Sequence, residues 1–403
     1  MRSIYSSSFT PGPLSALWRQ LAIATNWPIL VAVAVLSTLG VLSIWAAAPS
    51  TQTPEWHKQI IFLIIAFGCM SVFQAVNYQK LGRLSLLFYV FSLLLIGYTV
   101  VGTYVRVPGV RPIHGQANWI NFGPASLQPA ELMKIAFVMV LARYLRFRSN
   151  YRTLTGLLPP FAVALIPIAA ILKQPDLGTA LIFIPPLFLM LFVAGAKMKH
   201  LLAILALAVL VAPMMWFSGT DLPVFRHLPE MVNKNHRLRV YAMFNSDPAT
   251  LQDTGFQQHD ALIAFGSGGI SGKGLGKIPV GKHVPEADND MIFALIGEQF
   301  GFFGSAAVLI AYVVLFAAGI EIAAATREPF GKLLAIGIVS LLACQTFLNL
   351  MVATKLMPVT GVTLPFVSYG GSSLLASYMA AGLLLNIGQN RPMVIANDAF
   401  EFE

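Results

Sequence analysis

The amino-acid sequence predicts an all-α polytopic membrane protein, with about ten transmembrane helices and one large outer loop. Three observations predict it. Of 403 residues, 57% are hydrophobic and only 11% are charged, whereas soluble domains carry roughly 25% charged residues. A soluble fold of this length has too little interior to hide that much apolar surface. The apolar residues also gather into ten runs, on the scale of the about 20 residues that a helix needs to cross the hydrocarbon layer. Finally, the net charge of +9 is spread between the runs, where Lys and Arg set topology and meet anionic head groups. Membrane lipid, not nucleic acid, is therefore the expected partner of these cations.

The runs are 28–48, 59–77, 84–104, 129–146, 156–172, 178–196, 199–217, 291–320, 331–354 and 362–388. The first is too long for a signal peptide, although Ala46, Ala47 and Ala48 follow it, and many spans come after it. This gives a tail at 1–27, spans one to seven over 28–217, a loop at 218–290, spans eight to ten over 291–390, and a tail at 391–403. Orientation follows from the connections. With the N-terminus inside, the inner side receives Arg2, Arg19, Lys80, Arg83, Arg143, Arg146, Arg148, Arg152, Lys197, Lys199, Arg327, Lys332 and Arg391. The short outer connections hold few cations, such as Lys58, Arg106 and Arg111. Both termini are thus expected inside, and the even span count agrees. The loop 218–290 is polar and Gly-rich, but it is not low-complexity, so a functional loop is expected there.

Cys69 and Cys344 lie deep in apolar runs and read as small packing residues. Ionisable groups at membrane depth are costly and tend to mark function, and the chain has only 17 Asp and Glu residues to weigh. Eight are in the loop: Asp221, Glu230, Asp247, Asp253, Asp260, Glu286, Asp288 and Asp290. Pro285–Phe293 (PEADNDMIF) abuts the eighth span, so Asp288 or Asn289 reads equally as a helix cap. Asp290 sits at the membrane boundary, where a carboxylate facing a cavity has a pKa suited to base chemistry. Upstream, Gly266–Gly276 holds six glycines in eleven residues. With Lys273 and Lys277 beside it, that stretch is either an anion cradle or a re-entrant turn. It lacks the spacing of a nucleotide phosphate loop. Glu131 and Lys134 share one face of the fourth span, as a clamp or as part of a polar cavity. Glu298 lies about 12 Å along a helix from Asp290, and Asp176 follows a proline as a helix cap. Thr363–Ser373, with Pro365, a Gly pair, Ser368 and Ser372, reads as a broken helix lining a cavity or as close small-residue packing.

The motifs Gln128–Lys134 (QPAELMK), Lys173–Thr179 (KQPDLGT), His259–Lys273 (HDALIAFGSGGISGK), Pro285–Phe293, Gly297–Gly304 (GEQFGFFG) and Leu364–Ser373 (LPFVSYGGSS) occur in this order. Together they resemble the shape, elongation, division and sporulation (SEDS) family, from about residue 30 to residue 390. The KQPDLGT form is closer to its elongation members (RodA) than to its division members (FtsW). The resemblance implies a peptidoglycan glycosyltransferase in the bacterial cytoplasmic membrane. Such an enzyme polymerises lipid II, a disaccharide-peptide on undecaprenyl diphosphate, and works with a class B penicillin-binding protein. It places the family's loop carboxylate on Asp290 and its intramembrane pair on Glu131 and Lys134. The chain departs from the family at Asn118, where many relatives have Arg and where Arg111 or His114 stands in for the cation. It departs also at Asp288-Asn289 and at Lys355.

The implied reaction inverts an anomeric carbon, which needs one base on the acceptor side and no covalent intermediate. Asp290 fills that role. The leaving diphosphate calls for cations, and Lys273, Lys277, Lys282, Arg237 and Arg239 are the candidates. A divalent cation (Mg or Mn) held by Asp290 is the other role open to that carboxylate. Two readings of other classes stand beside the enzyme. A lipid II transporter needs charges along an inner-face entry path. A scaffold for the crosslinking partner needs no Asp290.

Overall fold

The computed structural model describes residues 26–47, 55–110, 117–123, 125–147, 150–220, 232, 234–244 and 255–390. Most of both tails, Arg111, His114 and the acids Asp221, Glu230, Asp247 and Asp253 lie outside the described residues. The helices are α1 Trp27–Ala47, α2 Glu55–Ala75, α3 Tyr78–Tyr104, α4 Pro129–Phe147, α5 Leu158–Leu172, α6 Leu177–Ile182, α7 Ile184–Ala194, α8 Met198–Phe217, α9 Lys234–Phe244, α10 Phe256–Ser267, α11 Ile292–Ala325, α12 Pro329–Ala353 and α13 Gly371–Gln389. A two-residue hairpin, β1 Ile120–Asn121 with β2 Ser126–Leu127, precedes α4 and pairs Ile120 with Leu127.

Among the described residues, nine segments are long and apolar enough to cross a membrane, with α6 and α7 counted as one. The tenth expected span is α4, and it differs in kind. It carries Glu131, Lys134, Arg143 and Arg146, yet its residues from Pro129 to Ala142 are all buried. A helix apolar all round can face lipid, but one bearing charges at depth must be enclosed by protein. α4 accordingly sits inside the bundle, against α3, α12 and α13. At the other extreme, α8 buries only Leu201.

Local chemistry sets the breaks. Asn77 caps α3 by accepting from the Gln79 N–H at 2.8 Å, and Glu328 caps α12 at the Gly331 N–H, with Pro329 in the first turn. Phe183, ahead of Pro185 and Pro186, separates α6 from α7, because each proline removes a donor. Gly301 interrupts α11 with φ 62 and ψ −150, a conformation favourable only for glycine. The stretch after that break, 302–325, reaches about 36 Å, enough to cross alone. The preceding arm, Ile292–Phe300, is thereby free to pack beneath the loop.

The tenth run departs from its expected bounds. Helix α13 starts only at Gly371, and residues 354–370 are non-helical. Lys355, Gly361, Phe366 and Gly370 there have positive φ. This segment folds into the bundle, with Val362, Leu364, Phe366 and Val367 buried. Its backbone approaches α1 so closely that a Cβ on Gly40 would collide with the Val367 carbonyl oxygen.

The connections sort to two ends. Arg143 donates to the Gly82 carbonyl at 3.0 Å, and Arg146 pairs with Glu328 at 3.1 Å. The turns after α2, α4 and α11 thus share one end. At the other end lies the described part of the loop that includes α10, which packs on α11 and α12.

Candidate active site

Asp290 ends the loop two residues before α11, and it is 7% exposed. Four elements converge on it. From α10, Gln257 Nε2 donates to Asp290 Oδ1 at 3.1 Å. From α12, Asn349 Nδ2 donates to the Asp290 carbonyl at 2.8 Å and to the Val362 carbonyl at 2.8 Å. From the non-helical segment, the Tyr369 N–H donates to the Asp288 carbonyl at 2.8 Å, while Ser368 Oγ donates to the Asn289 carbonyl. From α9, Arg239 contributes positive charge. Burial pushes the Asp290 carboxyl from 3.8 up to about 7. A hydrogen bond from its own backbone and the charge of Arg239 pull down, and Glu286 and Asp288 push up. A carboxyl in that range exchanges protons near neutrality, as a general base must.

A second polar cluster runs inward from there. Lys134, 1% exposed, donates to Glu131 at 2.8 Å and to Gln345 Oε1 at 2.7 Å. Gln345 Nε2 reaches the Thr363 carbonyl at 3.0 Å, and Thr363 Oγ1 meets Ser373 Oγ at 2.6 Å. Val362 and Thr363 are neighbours, so this chain meets the Asn349 clamp on Asp290. The pair is held as a clamp, with Glu131 and Lys134 both buried and bonded within the bundle. Asp176 lies beside this cluster, capping α6 through the Thr179 N–H at 3.0 Å, and Asn118 Nδ2 approaches it at 3.4 Å.

The glycine-rich stretch binds an anion, but the anion is internal. Glu298, 0% exposed, accepts from Lys273 Nζ at 2.7 Å, from the Val280 N–H at 3.1 Å and from the Gly281 N–H at 2.7 Å. The stretch also pairs with the open backbone at the α11 break, the Lys273 N–H to the Glu298 carbonyl at 2.9 Å and the Gly274 N–H to the Gln299 carbonyl at 3.0 Å. Lys273 is thus paired with Glu298, and the stretch folds as a turn against the α11 break. Lys277 and Lys282 are exposed and make no side-chain bond among the described residues. Arg237 holds the Ser218 carbonyl, and Arg239 holds the Val359 carbonyl at 3.1 Å. Both serines are engaged within the chain: Ser368 also accepts from the Leu364 N–H at 2.7 Å, and Ser372 bridges the Gln128 N–H and the Ser126 carbonyl, each at 3.0 Å.

Sequence reasoning passed over Gln257, Gln345 and Asn349. Gln345 and Asn349 carried a readable signal, two amides four apart on one face of an apolar span. Gln257 carried none, because a glutamine in a polar loop is ordinary.

The FtsW/RodA/SpoVE family, described as "Cell cycle protein", matches residues 22–392. The chain belongs to this family. Among FtsW/RodA/SpoVE relatives, it is 34% identical over 375 residues to the "Probable peptidoglycan glycosyltransferase FtsW" of Geobacter metallireducens, covering 89% of this chain and 93% of that protein. It is 33% identical to the "Stage V sporulation protein E" of Bacillus subtilis, covering 88% and 94%. A solved chain from "Structural coordination of polymerization and crosslinking by a peptidoglycan synthase complex" matches with TM-score 0.75 at 28% identity, over 92% of this chain and 99% of that one. The Thermus thermophilus rod shape determining protein RodA matches with TM-score 0.65 at 28% identity, over 92% and 98%.

Proposed function

We propose that this chain is a peptidoglycan glycosyltransferase that polymerises lipid II at the outer face of the bacterial cytoplasmic membrane, with Asp290 as its general base. The observation that carries the base assignment is a buried carboxyl, held near neutrality, with one side-chain donor in contact. The acceptor sugar's 4-hydroxyl attacks the donor's anomeric carbon. The new oxygen–carbon bond forms as the bond to the lipid diphosphate breaks, the proton passes to Asp290, and the diphosphate leaves as an anion. Arg237, Arg239, Lys277 and Lys282 remain as the cations to meet that charge, since Lys273 is paired with Glu298. A general base contributes about 10²–10⁴-fold, so positioning supplies the remainder.

Divalent ions that bridge phosphates need only one or two protein carboxylates, so Asp290 alone suits Mg or Mn as well. The base reading is preferred because the partner at its carboxylate is a neutral amide donor. The topology follows the cation distribution, with both termini in the cytoplasm and the loop 218–290 outside. A class B penicillin-binding protein is the partner, supported by the fold match to a chain of a synthase complex. An elongation role is supported by the Lys173–Thr179 form and by the RodA match.

The test is purified protein with lipid II in detergent, with and without the class B partner, assayed for glycan strands. Strands from the wild type and none from Asp290→Asn are expected. Strands unchanged in Asp290→Asn overturn the site. No strands under any condition, together with lipid II movement across liposomes, overturn the enzyme in favour of a transporter.

A further inference from the structure

The Asp290 carboxylate is buried, yet its side-chain contact comes from outside the bundle, from α10. That helix is firmly seated. Gln258, 4% exposed, donates from one amide to the Val352 carbonyl at 2.7 Å and the Met357 carbonyl at 2.6 Å, at the end of α12. Phe265 stacks on Phe293 with ring centroids 5.2 Å apart. At Gly268 a Cβ would collide with the Gly297 carbonyl oxygen, so α10 meets α11 backbone to backbone. Successive helical residues point about 100° apart. With Gln258 fixed into the bundle, its neighbour Gln257 is aimed at the loop's last turn.

There Gln257 Nε2 meets two acceptors, the Pro285 carbonyl at 3.0 Å and Asp290 Oδ1 at 3.1 Å. An amide nitrogen has two hydrogens, one for each. Flipping the amide would set its oxygen against a carbonyl and a carboxylate, so the bonding pattern itself fixes which atom is which. The Pro285 bond locks the amide, and the locked amide holds one oxygen of Asp290.

We infer that Gln257 is a positioning residue for the glycosyl transfer: it fixes the rotamer of Asp290 through a donated hydrogen bond, so that docking of α10 and readiness of the base are one event. This rests on Asp290 acting as the base. The charged groups acting on Asp290 are Arg239 from α9 and Glu286 and Asp288 from its own segment. On α10, His259 and Asp260 lie side by side at 3.4 Å. Gln257 and Asn349 are the neutral members, one on the carboxylate and one on the main chain.

The test compares Gln257→Leu and Gln257→Glu in the purified protein with lipid II, measuring kcat, KM and thermal unfolding. Glu keeps the shape of Gln, but its carboxylate cannot donate, and it faces two acceptors. Both variants are expected to lower kcat about 10–100-fold, with KM within about twofold, and Glu is expected to lose at least as much as Leu. A space-filling role predicts the reverse, with Glu close to wild type. Wild-type kcat in both variants overturns the inference, as does a loss in proportion to a fall in Tm. Failure of the base reading shows separately, as strands persisting in Asp290→Asn.

Discussion

Asp290 and Glu298 lie on one short stretch of chain, and both are withdrawn from solvent, 7% and 0% exposed. Burial is shared, so it cannot be what separates them. Glu298 is met by an ammonium and two backbone N–H groups, and it pins the glycine-rich turn onto the α11 break. Asp290 is met at its carboxylate by the amide of Gln257. Burial first, and then the acids Glu286 and Asp288, push its carboxyl up to about 7. A carboxylate with its lone pairs filled is a fastener. One left short of donors keeps a use for a proton. At similar depth, the count and charge of the donors separate the two carboxylates.

The comparison can be broken from either side. The largest effect is expected at the fastener. Glu298→Ala leaves Lys273 and the 280–281 N–H groups without their anion, and it should lower stability by about 3–5 kcal/mol. Thermal unfolding in detergent reads this directly, and an unmoved Tm would show that the turn holds without its carboxylate. At Asp290 the sign is opposite. Its folded carboxyl sits near 7 against an ordinary 3.8, so the fold favours the protonated form. That contribution is full below about pH 3.8 and is lost as pH rises through about 7. Asn stays neutral throughout. Asp290→Asn should therefore be more stable than wild type at pH 8, by up to roughly 4 kcal/mol, with the gain vanishing toward pH 4. Equal melting curves at both pH values would contradict the raised carboxyl. Wild-type strand synthesis should rise through about pH 7 as the base is unmasked, and a flat profile from pH 5 to 8 would contradict a titrating base.

Smaller effects sharpen the link between the two regions. Gly268→Ala drives a methyl into the Gly297 carbonyl, which should cost about 1–3 kcal/mol and also reduce activity, because α10 carries Gln257. Gly266 has nothing within 4 Å of an added Cβ. Gly266→Ala should be neutral or stabilising by up to about 1 kcal/mol. If the two alanines behave alike, the seat of α10 is not where these contacts place it.

The helices were legible because lipid demands long apolar runs, and even the polar α4 was readable from its place in the series. The break before α13 was readable from Pro365 and the Gly pair, although its extent, back to residue 354, was not: Lys355 and Gly361 turn the chain earlier than composition tells. The anion cradle was legible as chemistry, and its internal partner Glu298 was not. Lys273 and the glycines point to a negative group, but linear spacing cannot tell an external diphosphate from Glu298 folded back over them. Asp290 stood out as an acid at the membrane boundary. Gln257 did not, since its meaning comes from the seat of α10 on two other helices.

The buried pair on α4 bears on how the chain is assembled. Helix α4 enters the membrane during synthesis long before Gln345, 211 positions downstream, exists to meet Lys134. Until then the cation depends on Glu131, one turn away on the same helix at 2.8 Å. That bridge is self-contained: it makes the segment less costly to insert while its neighbours are still on the ribosome. A lysine at this depth without its glutamate would face hydrocarbon alone through the synthesis of most of the remaining spans. The Glu131–Lys134 bridge thus needs only one turn of α4 to close, and the finished fold keeps it.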